Sequence, residues 1–430
     1  MIRFSLRRLV GPDLRSRRWV FFSIFGVLFS TLALVITTLV FLLLAPAGLP
    51  TVESFHPLGI LFAALSAFLL GWYWLLKGYY HALTLLSMAD QDAPSRLREV
   101  MFRPSSRTDR LPSLITIGGG TGMSSILKGL RELPVDLTAI VTVADDGGSS
   151  GRLRKEMQIL PPGDIRNCLV ALSRSESLLS RLFQYRFHDG GAASGHSFGN
   201  LFIAAMSDLL GDFGSAVREA SNILAIKGKV LPVTCENVQL VARFEDGSEI
   251  MGESAITGAQ KRIAAIELRP AAALANPEAL AAIDRADLIV LGPGSLFTSV
   301  IPNLLVPEVA DRLNRSQARI VYICNVMTQP GETDGYSAFD HVRKILDTTP
   351  LKRIDVAIVN SRRAARTLMT RYEEKGQYWV PPTVTPIEGM GVRVITGDFL
   401  SETDLVRHNS LSLAQVLAEM LRERPATPVH

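Results

Sequence analysis

Two stretches near the start of the chain, Trp19–Leu44 and Pro57–Leu76, contain no charged residue. Each is long enough to cross a hydrocarbon layer of roughly 30 Å as a helix. Past residue 110 the texture changes to short apolar runs that end in glycine or polar residues. These are Leu114–Ile117, Thr138–Val143, Leu288–Leu291, Ile320–Cys324, Val356–Val359 and Val392–Ile395. Between them, apolar positions recur at helical spacing in Met123–Leu133, Pro307–Leu313 and Ala338–Leu346, and Phe198–Leu210 and Phe213–Leu224 read as buried helices. Strand–helix alternation of this kind predicts an α/β fold, a parallel sheet with helices on both faces. One segment departs from it: Lys229–Ile256 alternates around Asp246-Gly247, which predicts a small antiparallel insertion.

Composition strengthens the membrane reading. The 430 residues are 47% hydrophobic, and the mean hydropathy of +0.23 is high for a soluble chain. Arg3, Arg7, Arg8, Arg15, Arg17 and Arg18 precede the first run, and Lys77, Arg96, Arg98, Arg103, Arg107 and Arg110 follow the second. The segment between the runs has no lysine or arginine. Basic flanks stay on the cytoplasmic side, so both ends are expected in the cytoplasm of a two-span membrane protein. A cleaved signal peptide does not fit the first run, which is too long and lacks a small-residue cleavage site. The expected organisation is a basic N-terminus (1–18), a transmembrane hairpin (19–76), a juxtamembrane linker (77–110) and one α/β domain (111–430). Much of the net charge of +4 sits beside the spans, which argues for anionic lipid and against nucleic acid. Cys168, Cys235 and Cys324 are far apart, fit a reducing compartment and offer no zinc spacing.

Open α/β sheets bind ligands at the carboxyl ends of their strands, and the candidate chemistry collects there. The first strand runs into Gly118-Gly119-Gly120-Thr121-Gly122, where backbone amides can approach a phosphate at a helix N-terminus. The loop is no Walker A motif, because the spacing fails and no lysine follows. Asp145 lies 23 residues past Gly122, at the second strand end, where an acid can grip ribose hydroxyls; Asp146 beside it could hold Mg²⁺. Beyond come Ser149, Arg152 and Arg154, then a Pro161-Pro162-Gly163 turn with Asp164 placed to cap the helix carrying Arg166 and Asn167. Those arginines suit a phosphate or a solvated surface. His196 in "SGHSFGNL" is a candidate acid or base or a structural histidine, with Asn200 nearby. Gly292-Pro293-Gly294-Ser295 forms a second backbone cradle, and Asn325 ends the fourth strand.

Taken together, "GGGTGMSSILKGL", "VTVADDGGSSGRLR", "PPGDIRNCLVALS", "GHSFGNL", "LGPGSLFTSVIPNLLV" and "CNVMTQPGETDGY" resemble the gluconeogenesis factor (YvcK-like) family and its CofD-like transferase relatives. The resemblance covers Leu111 to the C-terminus. It implies a Rossmann-like domain that binds a nucleotide-linked ligand. In the gluconeogenesis factors that ligand is a UDP-sugar such as UDP-N-acetylglucosamine, with a role in cell shape and wall synthesis on gluconeogenic carbon. In the 2-phospho-L-lactate transferases a phosphorylated hydroxy-acid moiety moves from a guanosine diphosphate carrier with Mg²⁺. By motif, the loops Gly119–Gly122 and Gly292–Ser295 would hold phosphates, Asp145 and Asp146 would lie beside ligand and metal, and Asn200 and Asn325 would complete the cleft. The segment "ADDGGSSGRLR" matches the gluconeogenesis factors and departs from the transferases.

The favoured expectation is a membrane-tethered regulator that senses a UDP-sugar without converting it. The alternatives are a Mg²⁺-dependent phosphotransferase using Asp145, Asp146 and His196, and a protein binding NAD through the near-GxGxxG loop and Asp145. A homo-oligomer is compatible with any of these.

Overall fold

In the computed structural model the chain divides into two units, Met1–Arg103 and Pro104–His430. The structure describes Tyr73 and residues 110–423, apart from 174–177, 189–190, 192 and 403–405. Apart from Tyr73 and Arg110, the two expected membrane spans and the linker therefore lie outside the described residues. Among the described residues, no helix is long and apolar enough to cross a membrane.

The second unit is built on a seven-stranded sheet in the order β10-β9-β8-β7-β1-β2-β3. Its strands are β1 (Ser113–Gly118), β2 (Asp136–Val141), β3 (Lys229–Pro232), β7 (Leu288–Leu291), β8 (Arg319–Ile323), β9 (Val356–Asn360) and β10 (Arg393–Gly397). All neighbouring pairs are parallel. The expected strands thus form, and helices surround the sheet. Strands covered on both faces read as continuous apolar runs, and every residue of β1, β7 and β9 is buried.

β3 corrects the sequence reading, which placed Lys229 onward in the insertion. Its residues pair in parallel with β2, Val230 opposite Ala139, and extend the main sheet as an edge strand. A strand of four residues ending in Pro232 carries too little pattern to announce itself. The insertion proper starts later. It comprises β4 (Gln239–Phe244), β5 (Glu249–Met251) and β6 (Ile263–Arg269), in the antiparallel order β5-β4-β6 around the expected Asp246-Gly247 turn. A separate two-stranded ribbon, β11 (Leu400–Glu402) with β12 (Val406–His408), follows β10.

From β1 the chain moves outward through β2 and β3, then returns to β1's other side for β7 through β10. This reversal opens a crevice at the carboxyl ends of β1 and β7. The helices that furnish it are α1 (Gly120–Leu130), α2 (Gly148–Met157), α3 (Gly163–Leu172), α4 (Phe198–Leu210), α5 (Glu253–Ala259) and α6 (Arg366–Glu373).

Candidate functional site

The two glycine loops meet. Ile117 of β1 pairs with Leu291 of β7, so both strands deliver their loops to the same edge. Gly120 adopts φ +67, a left-handed conformation that favours glycine, to turn the chain into α1. A Cβ on Gly122 would stand 2.7 Å from the carbonyl oxygen of Pro293, so the loops touch backbone to backbone. Asn325 clamps the second loop: its Nδ2 donates to the Gly294 carbonyl at 2.8 Å, and its Oδ1 accepts the Gly294 amide at 3.3 Å. Ser295 caps a single π-helical turn, Leu296–Val300, by accepting the Thr298 amide at 3.2 Å.

Above these loops lies a cavity of about 520 Å³, within the range of small-molecule sites. Gly120, Thr121, Gly122, Gly294, Ser295 and Asn325 line it; Gly119 and Gly292 sit next to them in the loops, behind the wall. Of the remaining lining, Thr298 and Ser299 after the second loop and Thr328 and Gln329 beyond the fourth strand could be read as polar strand-end residues, whereas Glu253, Thr257, Glu332 and the roof could not. Glu253 and Thr257 enter from α5, and Thr328, Gln329 and Glu332 follow β8. Tyr372, Gln377, Val406, Arg407 and His408 form a roof. A local apolar cluster of Val326, Met327, Ala364, Leu400 and Val406 supports that roof, with Leu368, Tyr372 and Trp379 packed on it. The Tyr372 hydroxyl also accepts the Val406 amide at 3.0 Å, joining α6 to β12. A helix face and a short ribbon carry no motif.

The remaining expected residues form a second polar cluster that does not line this cavity. Asp145 turns back on its own loop, accepting the Gly147 amide at 2.8 Å and the Ser150 side chain. Asp146 Oδ1 accepts the Ser254 amide at 2.8 Å, at the first turn of α5. Ser149 Oγ lies 2.9 Å from His196 Nδ1 and accepts Asn200 Nδ2 at 3.1 Å. Arg166 bonds the Ser197 hydroxyl and, at 2.7 Å, Asn167 Oδ1. Arg152 donates to the Ser194 carbonyl at 2.7 Å, and buried Arg154 donates to Asn237 and Val238. Both arginines thus serve protein oxygens. Asp164 is not the helix cap expected of it: Pro162 holds that position. Its carboxylate instead accepts the Gly120 amide at 2.7 Å, across to the first glycine loop. Asn200 Oδ1 and Arg166 Nε are buried without a hydrogen-bond partner in the protein.

Electrostatically the region holds more buried carboxyl groups than cations to pair with them. Burial, then Asp145, pushes Asp164 up to about 6 despite the Gly120 amide. Burial also raises Asp145 and Glu332. It lowers the His196 imidazole, with help from Arg152, which favours the neutral ring. Among the described residues, no group of three or more His, Cys, Asp and Glu side chains is arranged around a metal position. Magnesium held beside a phosphate needs only one or two carboxylates and keeps waters for the rest. The charge of Asp145 raises Asp164, and Asp145, Asp146 and Asp164 each have one carboxylate oxygen engaged by a backbone amide.

Residues 114–400 match the family model described as 2-phospho-L-lactate transferase CofD. The gluconeogenesis factor of Bacillus subtilis is 46% identical over 313 residues, which is 73% of this chain and 99% of that protein. That of Halalkalibacterium halodurans is 47% identical over 308 residues, 71% of this chain and 96% of its own length. A Nostoc sp. relative extends further, 43% identical over 417 residues, 95% of this chain and 91% of that one. Among solved structures, a UPF0052 family member from Bacillus halodurans has a TM-score of 0.70 at 47% identity and covers 71% of this chain and 99% of that one. The chain belongs to the CofD family and is a homologue of the gluconeogenesis factors.

Proposed function

We propose that the protein is a gluconeogenesis factor that grips a nucleoside-diphosphate sugar, of the UDP-N-acetylglucosamine kind, in the cavity between the two glycine loops. The observation that carries this reading is the convergence of Gly120–Gly122 and Gly294–Ser295 on one wall, opposite a roof holding Tyr372 and Arg407. Backbone at glycine lets a diphosphate approach closely, Arg407 supplies a forked cation, and the Tyr372 ring offers a face or hydroxyl to base or sugar. Ser149, Arg166, Asn167, Asn200 and His196 would then act behind the cavity rather than on its wall. Asp145 is turned onto its own loop, so the ribose grip on which the NAD reading relied lacks support. Calorimetric titration of the full chain in detergent micelles with UDP-N-acetylglucosamine tests the proposal. Saturable binding that Arg407→Ala weakens is expected, and absence of heat at millimolar ligand rejects it.

A second reading, Mg²⁺-dependent phosphoryl-group transfer, is favoured by the carboxyls of Asp145 and Asp164, near enough that the charge of the first raises the second, and by the family's description. There Asp145 and Asp164 would hold the ion, which would neutralise phosphate charge. Product formed from nucleotide donors, and lost in Asp145→Asn, would favour it over pure sensing.

The membrane tether is also a proposal, resting on the uncharged runs at 19–44 and 57–76 with basic flanks. The Nostoc relative, matched along most of this chain, supports a shared N-terminal extension. Such a tether places a wall-linked regulator beside lipid-borne precursors. Fractionation with membranes, resistant to high salt, is the expected outcome; release by salt would reject it.

A further inference from the structure

Several polar side chains on the cavity wall are satisfied within the protein. Asn325 clamps the Gly294 backbone. Ser295 and Thr257 both donate to Glu332, and the Thr328 hydroxyl accepts the Tyr378 amide at 2.9 Å. Among the described residues, two lining side chains break this pattern. Gln329 Oε1 and both ring nitrogens of His408 are buried without a hydrogen-bond partner in the protein.

The backbones of both residues are nonetheless fixed. Gln329 opens a turn in which its carbonyl accepts the Thr333 amide at 2.9 Å and its amide donates to Thr333 Oγ1 at 2.9 Å. His408 ends β12, paired with Leu400 of β11, and the backbone of Cys324, the residue after β8, acts on its ring. Only the side-chain tips lack partners. Terminal torsions of glutamine and histidine are broad, so a small turn of either tip brings its polar atoms onto the cavity.

Neither tip carries charge. A carboxamide does not ionise, and burial lowers the His408 imidazole to about 4. At neutral pH the ring therefore has a hydrogen on one nitrogen and a lone pair on the other. An ionised diphosphate has no hydrogen to give to the Gln329 oxygen or to that lone pair. An imide N–H of a base, or a hydroxyl or amide of a sugar, does.

We propose that Gln329 and His408 form the subsite that recognises the uncharged part of a nucleoside-diphosphate sugar, turning their unpaired atoms onto its N–H or O–H hydrogens as it binds. This deepens the ligand reading given above and rests on it. Buried polar atoms left unpaired cost stability, and here the ligand-free protein bears that cost while the bound form does not. Stability and affinity should therefore move in opposite directions when the two groups are made apolar.

Gln329→Met and His408→Leu, apolar replacements of similar size, test this in the full chain in detergent micelles. Melting temperature is read without ligand, and calorimetric titration is run with UDP-N-acetylglucosamine and with UDP. Each variant should melt at or above the wild-type temperature and bind UDP-N-acetylglucosamine about tenfold more weakly, the worth of one hydrogen bond. Equal weakening toward UDP assigns the contact to uracil or ribose; weakening confined to UDP-N-acetylglucosamine assigns it to the sugar. Wild-type affinity in both variants overturns the inference and leaves the ligand reading intact. Weaker binding accompanied by a lower melting temperature in both also overturns it, since that marks a structural role. Should His408→Leu not fold, Gln329→Met decides by the same two readings. Absence of binding by the wild-type protein rejects the ligand reading and this inference with it.

Discussion

The Asp164 carboxylate accepts the Gly120 amide at 2.7 Å, tying the start of α3 to the loop that ends β1. One of the amides that the sequence offered to a phosphate is thus already engaged. Because burial and Asp145 raise this carboxyl from 3.8 to about 6, the stability it contributes is present at low pH and lost as pH climbs through that interval. Asp164→Asn keeps an oxygen for the Gly120 amide and removes the charge. Urea unfolding should find it equal to wild type near pH 4 and more stable by roughly 2 kcal/mol at pH 8.

Close contact between the loops makes Gly122 sensitive. An alanine Cβ there would lie 2.7 Å from the Pro293 oxygen and 3.0 Å from Gly294 Cα, both backbone atoms that cannot swing away. Gly122→Ala should destabilise by about 1–3 kcal/mol and abolish ligand binding. Gly258→Ala is the control: it lies in α5 with nothing within 4 Å of the added carbon. That variant should gain about 0.5–1 kcal/mol from helix propensity.

Among the described residues, Arg407 is the one arginine or lysine lining the cavity, and it is exposed. Arg407→Ala should weaken nucleotide-sugar binding on the order of 10- to 100-fold, the range of a lost charge-assisted hydrogen bond, with little change in melting temperature. Tyr372→Phe acts differently, since it removes the acceptor of the Val406 amide. About 1 kcal/mol of local stability should go, read as faster amide exchange at Val406.

Asp146 distinguishes helix capping from metal binding. Its carboxylate holds the Ser254 amide at the start of α5, the helix that carries Glu253 and Thr257. Asp146→Ala should destabilise by about 1 kcal/mol, a typical loss for a cap, equally with Mg²⁺ and with EDTA. A difference seen only with Mg²⁺ would return Asp146 to the metal role that its position in the sequence suggested.

Much of the sheet was legible because buried parallel strands must be apolar throughout, as in Leu288–Leu291. β3 escaped because four residues ending in proline lack a period. At the site, Gly120, Gly122, Gly294 and Asn325 could be read from their chemistry at strand ends. Tyr372 and Arg407 could not, because they reach the cavity through packing of α6 and β12 over Val326 and Met327, a tertiary relationship with no local signature. Asp145 and Asp146 show the opposite failure. Their carboxylates looked free in the sequence, yet backbone amides of Gly147 and Ser254 claim them once the chain is folded.

The cavity's walls come from opposite ends of the domain: Gly120 near its beginning, Ser295 in its middle and Arg407 close to its finish. A chain still emerging from the ribosome therefore has no complete cavity until β12 has been made. Any rescue of folding by a cavity ligand can act only on chains that include β12, and a truncation just short of it would leave an α/β body without the cavity's roof.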